Sequence, residues 1–198
     1  MAARNEARRT LLLALVEEDR RVRTELARDG SLFGGYHPSM EAVHVANAHA
    51  LNNLLADGWP KTDDVGDDGQ EAAWLIAQHA IGLPRFQRQC RELLREAVQR
   101  REAPAWQLAM LTDRISVLEG RPQIYGTQFD WDENGEISPL PIEDAASVDQ
   151  RRAQVGLEPL VEAMSRHRRN AQESGEHAPD RHRSVAEQEV WLKRVGWR

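Results

Sequence analysis

The chain has 198 residues, with 26 basic and 32 acidic side chains and a formal charge of −6. Hydrophobic residues make up 40% and charged residues 29%, a balance that excludes disordered and fibrous proteins. The mild acidity argues against a nucleic-acid partner, because contact with phosphates needs a concentrated basic surface. The single cysteine, Cys90, excludes an internal disulfide and an all-cysteine zinc site.

No segment of the sequence is predicted to cross a membrane or to direct secretion. The longest early apolar run, residues 11–16, is far shorter than the roughly 20 residues that span a bilayer. Charged residues follow it at once, and no small-residue cleavage site appears. We therefore expect a cytoplasmic protein with no membrane partner. Lysine occurs only at Lys61 and Lys193, and this preference for arginine favours a bacterial source.

Apolar residues at helical spacing predict five helices in the first 120 residues. Their expected ranges are about 5–28, 39–56, 70–81, from 84 onwards, and 104–119. The second helix should stop at Gly58-Trp59-Pro60, because proline cannot continue a helix and glycine takes the conformation that a C-cap requires. The acidic segment 63–69 is predicted to be a turn before the third helix.

After residue 120 the pattern becomes extended. Segments 122–131 and 136–142 flank Asn134-Gly135, and an Asn-Gly pair between extended stretches is a strong hairpin signal. Helical patterns return at about 147–154 and 159–169. We predict a mainly α fold, a helical bundle-like domain with one small antiparallel β-hairpin at about 122–142.

The end of the chain has a different composition. Residues 1–169 are predicted to form a single domain, and 170–183 a polar, mobile linker without apolar periodicity. A short amphipathic piece then carries Trp191 and Trp197. These tryptophans should pack onto the domain, and they would also suit a homodimer interface.

Four polar residues interrupt apolar helical faces. They are His44 and Asn47 in the second helix, His79 in the third and Asp113 in the fifth. Burying such groups without a partner costs about 1–3 kcal/mol each. We therefore expect them to converge on one another or on a shared polar pocket. The alternative for each histidine taken singly is a satisfied core residue with no chemical role.

The hairpin supplies a second polar group. If residues 122–131 are a strand, Gln123, Tyr125 and Thr127 share one face, and Gly126 on the other lets a backbone or a ligand approach closely. Tyr125 could donate a proton or a hydrogen bond to a substrate oxygen. The structural alternative is a half-buried hairpin tyrosine.

Other chemical motifs are weak or absent. Residues 130–135 match the opening of a calcium loop, but position twelve is Pro141 rather than glutamate. Glu41 and His44 form one Glu-x-x-His pair without the second that di-iron bundles need. A mononuclear site from His37, His44, His79 and Asp113 is conceivable, but we predict no metal and no other cofactor. Cys90 lies on an apolar helical face and is predicted to be an inert packing residue.

An ordered series of sequence blocks resembles a widespread bacterial family of domains of unknown function. The blocks are GWP at 58–60, WLIAQHA at 74–80, LTDR at 111–114, EGRPQIYGTQ at 119–128, PLPIED at 139–144 and VDQRRAQVGLEPL at 148–160. The resemblance covers about 40–164 and leaves the N-terminal helix outside. It implies no activity, substrate or cofactor, but several blocks contain the polar residues already singled out.

Two functions are compatible with the sequence. The first is an enzyme acting on a small molecule by acid–base chemistry (hydrolysis, elimination or cyclisation), with His79, Asp113 and Tyr125 as catalytic residues in one pocket. The residues expected to hold the substrate are His44, Asn47, Gln78, Arg114, Gln123, Thr127 and Gln128. The second is a noncatalytic binding or interaction module, in which the polar cluster fixes the hairpin onto the helices.

Overall fold

The computed structural model describes residues 4–33, 35–175, 178 and 181–198, and within them it has eight α-helices and one two-stranded sheet. The helices are α1 Glu6–Arg28, α2 Pro38–Leu54, α3 Thr62–His79, α4 Pro84–Gln99, α5 Ala105–Leu118, α6 Val148–Gln154, α7 Leu160–Ser174 and α8 Arg181–Val195, and the strands are β1 Phe129–Trp131 and β2 Ile137–Pro139. The mainly α prediction with one antiparallel hairpin is confirmed.

Helix α1 begins at an asparagine cap. The side-chain oxygen of Asn5 accepts a hydrogen bond from the backbone N–H of Arg8 at 3.1 Å, which satisfies one of the donors left open at a helix start. The buried face of α1 carries Leu12, Val16, Asp19 and Val22, at spacings of a helical stripe. One member of this stripe is therefore a carboxylate.

Helix α2 ends close to where the sequence predicted, whereas helix α3 begins earlier than predicted. Helix α2 ends through a short 3-10 turn, Leu55–Asp57, and Gly58 follows with φ +99°, as the Gly-Trp-Pro stop predicted. The prediction of a turn at 63–69 is wrong, because α3 already begins at Thr62. Its first part is interrupted at Gly66, whose φ of 74° and ψ of 168° are not helical. Arg9 also binds this segment, with Nε 2.9 Å from Oδ1 of Asp68.

The chain divides into two compact units, residues 1–103 and 104–198. The single domain at 1–169 with a C-terminal tail stays a prediction. In the first unit α1 packs against α2 and α3, and α4 packs against α3. Its fully buried side chains include Leu12, Leu51 and Leu94. Cys90 is also fully buried on α4, as its place on an apolar face predicted.

In the second unit the hairpin is shorter than predicted. β1 pairs with β2 in antiparallel register, with Asp130 opposite Ser138. Residues 123–128 form no strand, although Gln123 makes an isolated bridge to Ile142. The expected alternation of faces over 123–128 is therefore wrong. The physical reason is that the backbone N–H groups of Ile124, Tyr125 and Thr127 donate to the buried side chain of Asp113 and not to a neighbouring strand.

The C-terminal segment is more helical than predicted. Helix α7 runs to Ser174, inside the expected linker, and α8 begins at Arg181. Positions 176, 177, 179 and 180 of that linker lie outside the described residues. Trp197 is buried, and Arg198 Nε donates to the carbonyl of Leu118 at 3.2 Å. The segment thus packs onto its own unit, while the homodimer stays a prediction. None of the described helices combines the length and apolarity needed to cross a bilayer.

Candidate functional site

Two histidines of the first unit contact one buried carboxylate. Nδ1 of His79, at the end of α3, lies 2.8 Å from Oδ2 of Asp19 on α1. Nε2 of His44, on α2, lies 3.1 Å from the same oxygen. The two imidazole rings are 5.0 Å apart, centroid to centroid. Three helices that are distant in sequence thus bring these side chains together, and we call them the Asp19–His44–His79 cluster.

A tyrosine extends the cluster on the side of His44. The hydroxyl of Tyr36 lies 2.7 Å from Nδ1 of His44, and the two rings stack with centroids 5.6 Å apart. Burial raises the pKa of Tyr36 above its usual range, so the hydroxyl keeps its proton. The simplest assignment is that Tyr36 donates to Nδ1 of His44, which places the hydrogen of a neutral His44 ring on Nε2.

The ionised form of Asp19 is favoured although the residue is almost fully buried. Burial raises the pKa of Asp19, but its contacts with His44 and His79 lower the pKa more, so the net shift is well below the usual range. Both histidine contacts use Oδ2. The other oxygen, Oδ1, receives no hydrogen bond from the part of the chain that the structure describes. Asp19 therefore retains acceptor capacity.

The same three residues have the composition of a metal site. One oxygen of Asp19 and one ring nitrogen from each histidine all lie within 4.8 Å of one another. His44 Nε2 is buried. It lies 3.1 Å from Asp19 Oδ2, but the geometry is not that of a hydrogen bond, and no other described residue bonds to it. Two imidazoles and one carboxylate suit zinc, iron or manganese ions, with further positions open to water or substrate. This combination was not the one weighed from the sequence, because it uses Asp19 in place of His37 and Asp113.

Two predicted substrate-binding residues lie close to this cluster in sequence. Asn47 is buried, and its Nδ2 donates to the carbonyl of Leu15 at 2.9 Å, so it links α2 to α1. Gln78 is 3% exposed, and neither its amide nitrogen nor its amide oxygen has a hydrogen bond within the described chain. A buried amide without partners normally binds a water molecule or a ligand. Gln87, which the sequence did not single out, donates to the carbonyls of Ala77 and Gln78.

Asp113, in the second unit, has a different set of partners. Its two oxygens accept five hydrogen bonds of 2.7–3.1 Å, four from backbone N–H groups and one from the Thr127 hydroxyl. The backbone donors belong to Ile124, Tyr125 and Thr127. Burial raises the pKa of Asp113, and these hydrogen bonds act in the opposite direction. The carboxylate thus fixes the course of 124–127, as the noncatalytic alternative predicted for this residue.

The predicted glutamines of the hairpin segment are structural partners of the same loop. Gln123 is fully buried, and its amide nitrogen donates to the carbonyls of Gln128 and Leu140. Its amide oxygen accepts from the backbone N–H of Gln128 at 2.8 Å. The side chain of Gln128 donates to the Thr127 hydroxyl at 3.0 Å. These bonds use both amide atoms of Gln123 and the amide nitrogen of Gln128, which were expected to bind substrate.

Arginines hold the loop from the other side. Arg152, which is 2% exposed, donates to the carbonyls of Tyr125 and Gly126 through Nη1 and to that of Glu158 through Nε. Arg151 donates to the carbonyl of Ile124. Gly126 has φ +66°, and an added Cβ would lie 2.8 Å from Ile142 Cδ1, so the predicted close approach at this glycine is made by side chains of the protein itself.

Arg114, like Gln78, is a predicted site residue whose side chain has no partner among the described residues. It makes no hydrogen bond or ion pair with the residues that the structure describes, and its Nε is sealed from solvent. Burial lowers the pKa of Arg114 to about 10. An arginine in such surroundings suits an anionic ligand such as a carboxylate or phosphate, the role expected for it from the sequence.

Asp19 and Tyr36 were not among the site residues predicted from the sequence. Asp19 interrupts the apolar stripe of Leu12, Val16 and Val22, so the argument applied to the other helices also identifies it. Tyr36 lies in the loop before α2, where no periodicity marks it. His79 and Asp113, expected in one pocket, belong to different units, and each is engaged by residues of its own unit.

Comparison with known proteins gives a family without a known function. No curated protein and no solved structure matches the chain. The matching family model covers residues 7–172 and therefore includes α1 with Asp19, which the sequence resemblance had left outside. The chain belongs to this group, a family of unknown function (DUF6624).

Proposed function

We propose that the protein is an enzyme that acts on a small molecule by proton transfer at His79, with Asp19 as the positioning residue. The observation that carries the proposal is the 2.8 Å contact between His79 Nδ1 and Asp19 Oδ2. An ionised carboxylate only accepts hydrogen bonds, so the hydrogen of this contact belongs to Nδ1. Nε2 is then the nitrogen that exchanges a proton with a substrate, the arrangement that aspartate imposes on a catalytic histidine.

Solvent exposure supports this division of roles. The side chain of His79 is 26% exposed, whereas that of Asp19 is 6% exposed. A substrate in solution can therefore reach the imidazole while the carboxylate stays in the protein interior. Histidine is also the side chain whose charge changes near neutral pH, which suits it for both taking and giving a proton.

The reaction class follows from the available groups. Hydrolysis, elimination and cyclisation each require proton transfer and no redox cofactor. Gln78 supports a substrate-binding role in the first unit, because its buried amide lacks partners within the described chain. Asp113 has no catalytic role in this proposal, because its oxygens already accept five hydrogen bonds from four donors.

A divalent metal centre at the Asp19–His44–His79 cluster is the second candidate. The observation that favours it is the proximity of the three ligand atoms, together with the unbonded His44 Nε2. A metal ion bound there would activate a water molecule for hydrolysis. The three residues would then be ligands, and Tyr36 would orient His44 from the side of its other nitrogen.

Nitrogen NMR of the histidine side chains tests the first candidate without knowledge of the substrate. We expect His79 to carry its hydrogen on Nδ1 in the neutral form, and the Asp19→Asn variant to lose this preference. A hydrogen on Nε2 of His79 in the wild-type protein would contradict the proposal. Turnover screens with ester, amide and lyase substrates can then compare wild type with His79→Ala, using His49→Ala on the exposed side of α2 as the matched control.

Cobalt binding distinguishes the two candidates. If the cluster is a metal centre, Co²⁺ should give visible absorption bands in the wild-type protein, and His44→Ala and His79→Ala should each abolish them. Activity should then disappear on chelation and return with metal. If activity survives chelation and neutral His79 carries its hydrogen on Nδ1, the results support metal-free acid–base chemistry.

A further inference from the structure

The second unit contains a pocket whose lining includes no residue of the Asp19–His44–His79 cluster. Its volume is about 330 Å³, within the range of small-molecule sites. The residues that line it come from α5, β1, α6, α7 and the adjoining loops. We refer to it as the Arg152 pocket, after the buried arginine in its wall.

One wall of the Arg152 pocket is aromatic. Phe129 and His167 stack with ring centroids 4.3 Å apart, and Trp106 and Met110 contribute further apolar surface. Burial lowers the pKa of His167, so its ring adds a neutral, flat surface near neutral pH. Aromatic side chains gain most from a ligand that is itself planar and aromatic, through offset stacking or edge contacts.

The pocket also contains a cation with an unused donor. Arg152 is 2% exposed and has no carboxylate within ion-pair distance among the described residues. Its Nε and Nη1 donate to three backbone carbonyls, but Nη2 donates to no acceptor in the described chain. A buried guanidinium in a pocket wall, with one NH₂ group that donates to no protein acceptor, favours an anionic ligand.

Among the residues that line the pocket, one cation lacks an acidic partner. Glu158 is the acidic residue of the lining, and it is paired with Arg166 at 2.7 Å. Of the charged residues in the lining, Arg152 is therefore the one without a carboxylate partner, although Asp149 and Asp113 outside the lining also act on it electrostatically. A phosphate alone would not use the aromatic wall, and a neutral ring would leave Nη2 without an acceptor.

We propose that the Arg152 pocket binds an aromatic carboxylate, with its ring against Phe129, His167 and Trp106 and its carboxylate accepting from Arg152 Nη2. The pocket volume accommodates one or two fused rings. Nothing in this assignment depends on the proton-transfer role of His79, so either proposal can fail without the other.

Ligand-observed NMR with the full chain tests the proposal. The probes are 2-naphthoate, its uncharged analogue 2-naphthamide, and cyclohexanecarboxylate, which keeps the charge but lacks an aromatic ring. We expect 2-naphthoate to bind with Kd below about 1 mM, and each of the other two at least roughly tenfold more weakly. No binding of 2-naphthoate, or equal binding of 2-naphthamide, would overturn the proposal.

Two variants locate the binding. His167→Ala should weaken 2-naphthoate binding roughly fivefold or more by removing part of the aromatic wall, whereas the control His49→Ala in the first unit should not. Arg152→Lys should reduce the preference for 2-naphthoate over 2-naphthamide, provided that its melting curve shows a folded protein. If Arg152→Lys does not fold, the comparison of the three probes and the His167→Ala variant still test the proposal. An unchanged affinity of His167→Ala for 2-naphthoate would show that this probe does not bind in the Arg152 pocket.

Discussion

Asp19 and His79 are sixty positions apart, yet the Oδ2 atom of one lies 2.8 Å from the Nδ1 atom of the other. The contact joins the middle of α1 to the last residue of α3, and His44 on α2 approaches the same oxygen at 3.1 Å. The three helices that build the core of the first unit therefore also assemble its polar cluster. A carboxylate buried at this place needs a partner, because an unpaired buried charge is strongly unfavourable.

The first prediction concerns His79. We expect His79→Ala to lower turnover about 10²–10⁴-fold, the usual contribution of a general acid or base, once a substrate is identified in the screens. His49→Ala, at an exposed position of the same unit, should leave turnover unchanged. Steady-state kinetics measures the effect, and thermal unfolding shows whether the variant is folded. A folded His79→Ala variant with wild-type turnover would remove the acid–base proposal.

The sequence predicted the helices where local signals decide them. Asn5 caps α1 through its side-chain oxygen, Pro84 begins α4 through its restricted φ, and Gly58 ends the α2 segment with a positive φ. The stripe argument likewise identified His44 and His79 as polar residues on buried faces. These features depend on residues within one or two helical turns, so they can be inferred without a three-dimensional structure.

The partners of those polar residues could not be inferred in the same way. Asp113 was expected to meet a histidine, but its oxygens accept from the N–H groups of Ile124, Tyr125 and Thr127. Those residues were expected to form a strand, because their composition suits one. The competition between a strand and a loop around a buried carboxylate is decided by tertiary contacts, which sequence periodicity does not contain.

The second prediction concerns Asp113. We expect Asp113→Asn to lower the free energy of unfolding by about 3 kcal/mol, because one carboxylate oxygen becomes an NH₂ group facing buried N–H donors. Both oxygens now accept from the backbone, so neither orientation of the amide satisfies all the donors. Urea unfolding measures the change, with Asp67→Asn on the exposed surface as a control near zero. A loss as small as that of the control would show that the loop does not depend on this carboxylate.

The third prediction concerns Gly126. We expect Gly126→Ala to destabilise the second unit by more than the roughly 1–2 kcal/mol that a positive φ costs an L residue, because its Cβ would also contact Ile142 and Leu160 at 2.8 and 3.0 Å. Gly156→Ala is the matched control, since Gly156 has φ +77° but no atom within 4 Å of a Cβ. Urea unfolding of both variants separates backbone strain from steric contact. Equal losses in the two variants would contradict the close packing at Gly126.

The fourth prediction concerns Cys90. The thiol is fully buried on α4, and burial raises its pKa above the usual range. Because the thiolate is the reactive form, iodoacetamide should not label the native protein at neutral pH. Mass spectrometry should show complete labelling only after denaturation. Rapid labelling of the folded protein would contradict the inert role assigned to this cysteine.

The fifth prediction concerns the pH dependence of stability at His167. Burial lowers the pKa of His167 in the folded protein, Arg166 and Arg152 lower it further, and Glu158 opposes them. Below about pH 6.5 the unfolded chain therefore takes up a proton more readily than the folded one, so this contribution to stability is complete above that pH and is lost as the pH falls. Urea unfolding at about pH 7.5 and about pH 5.5 should show a smaller decrease on acidification for His167→Gln than for wild type. An equal decrease in the two proteins would mean that His167 keeps the same proton affinity in both states, and the neutral aromatic wall of the Arg152 pocket would lose its electrostatic basis.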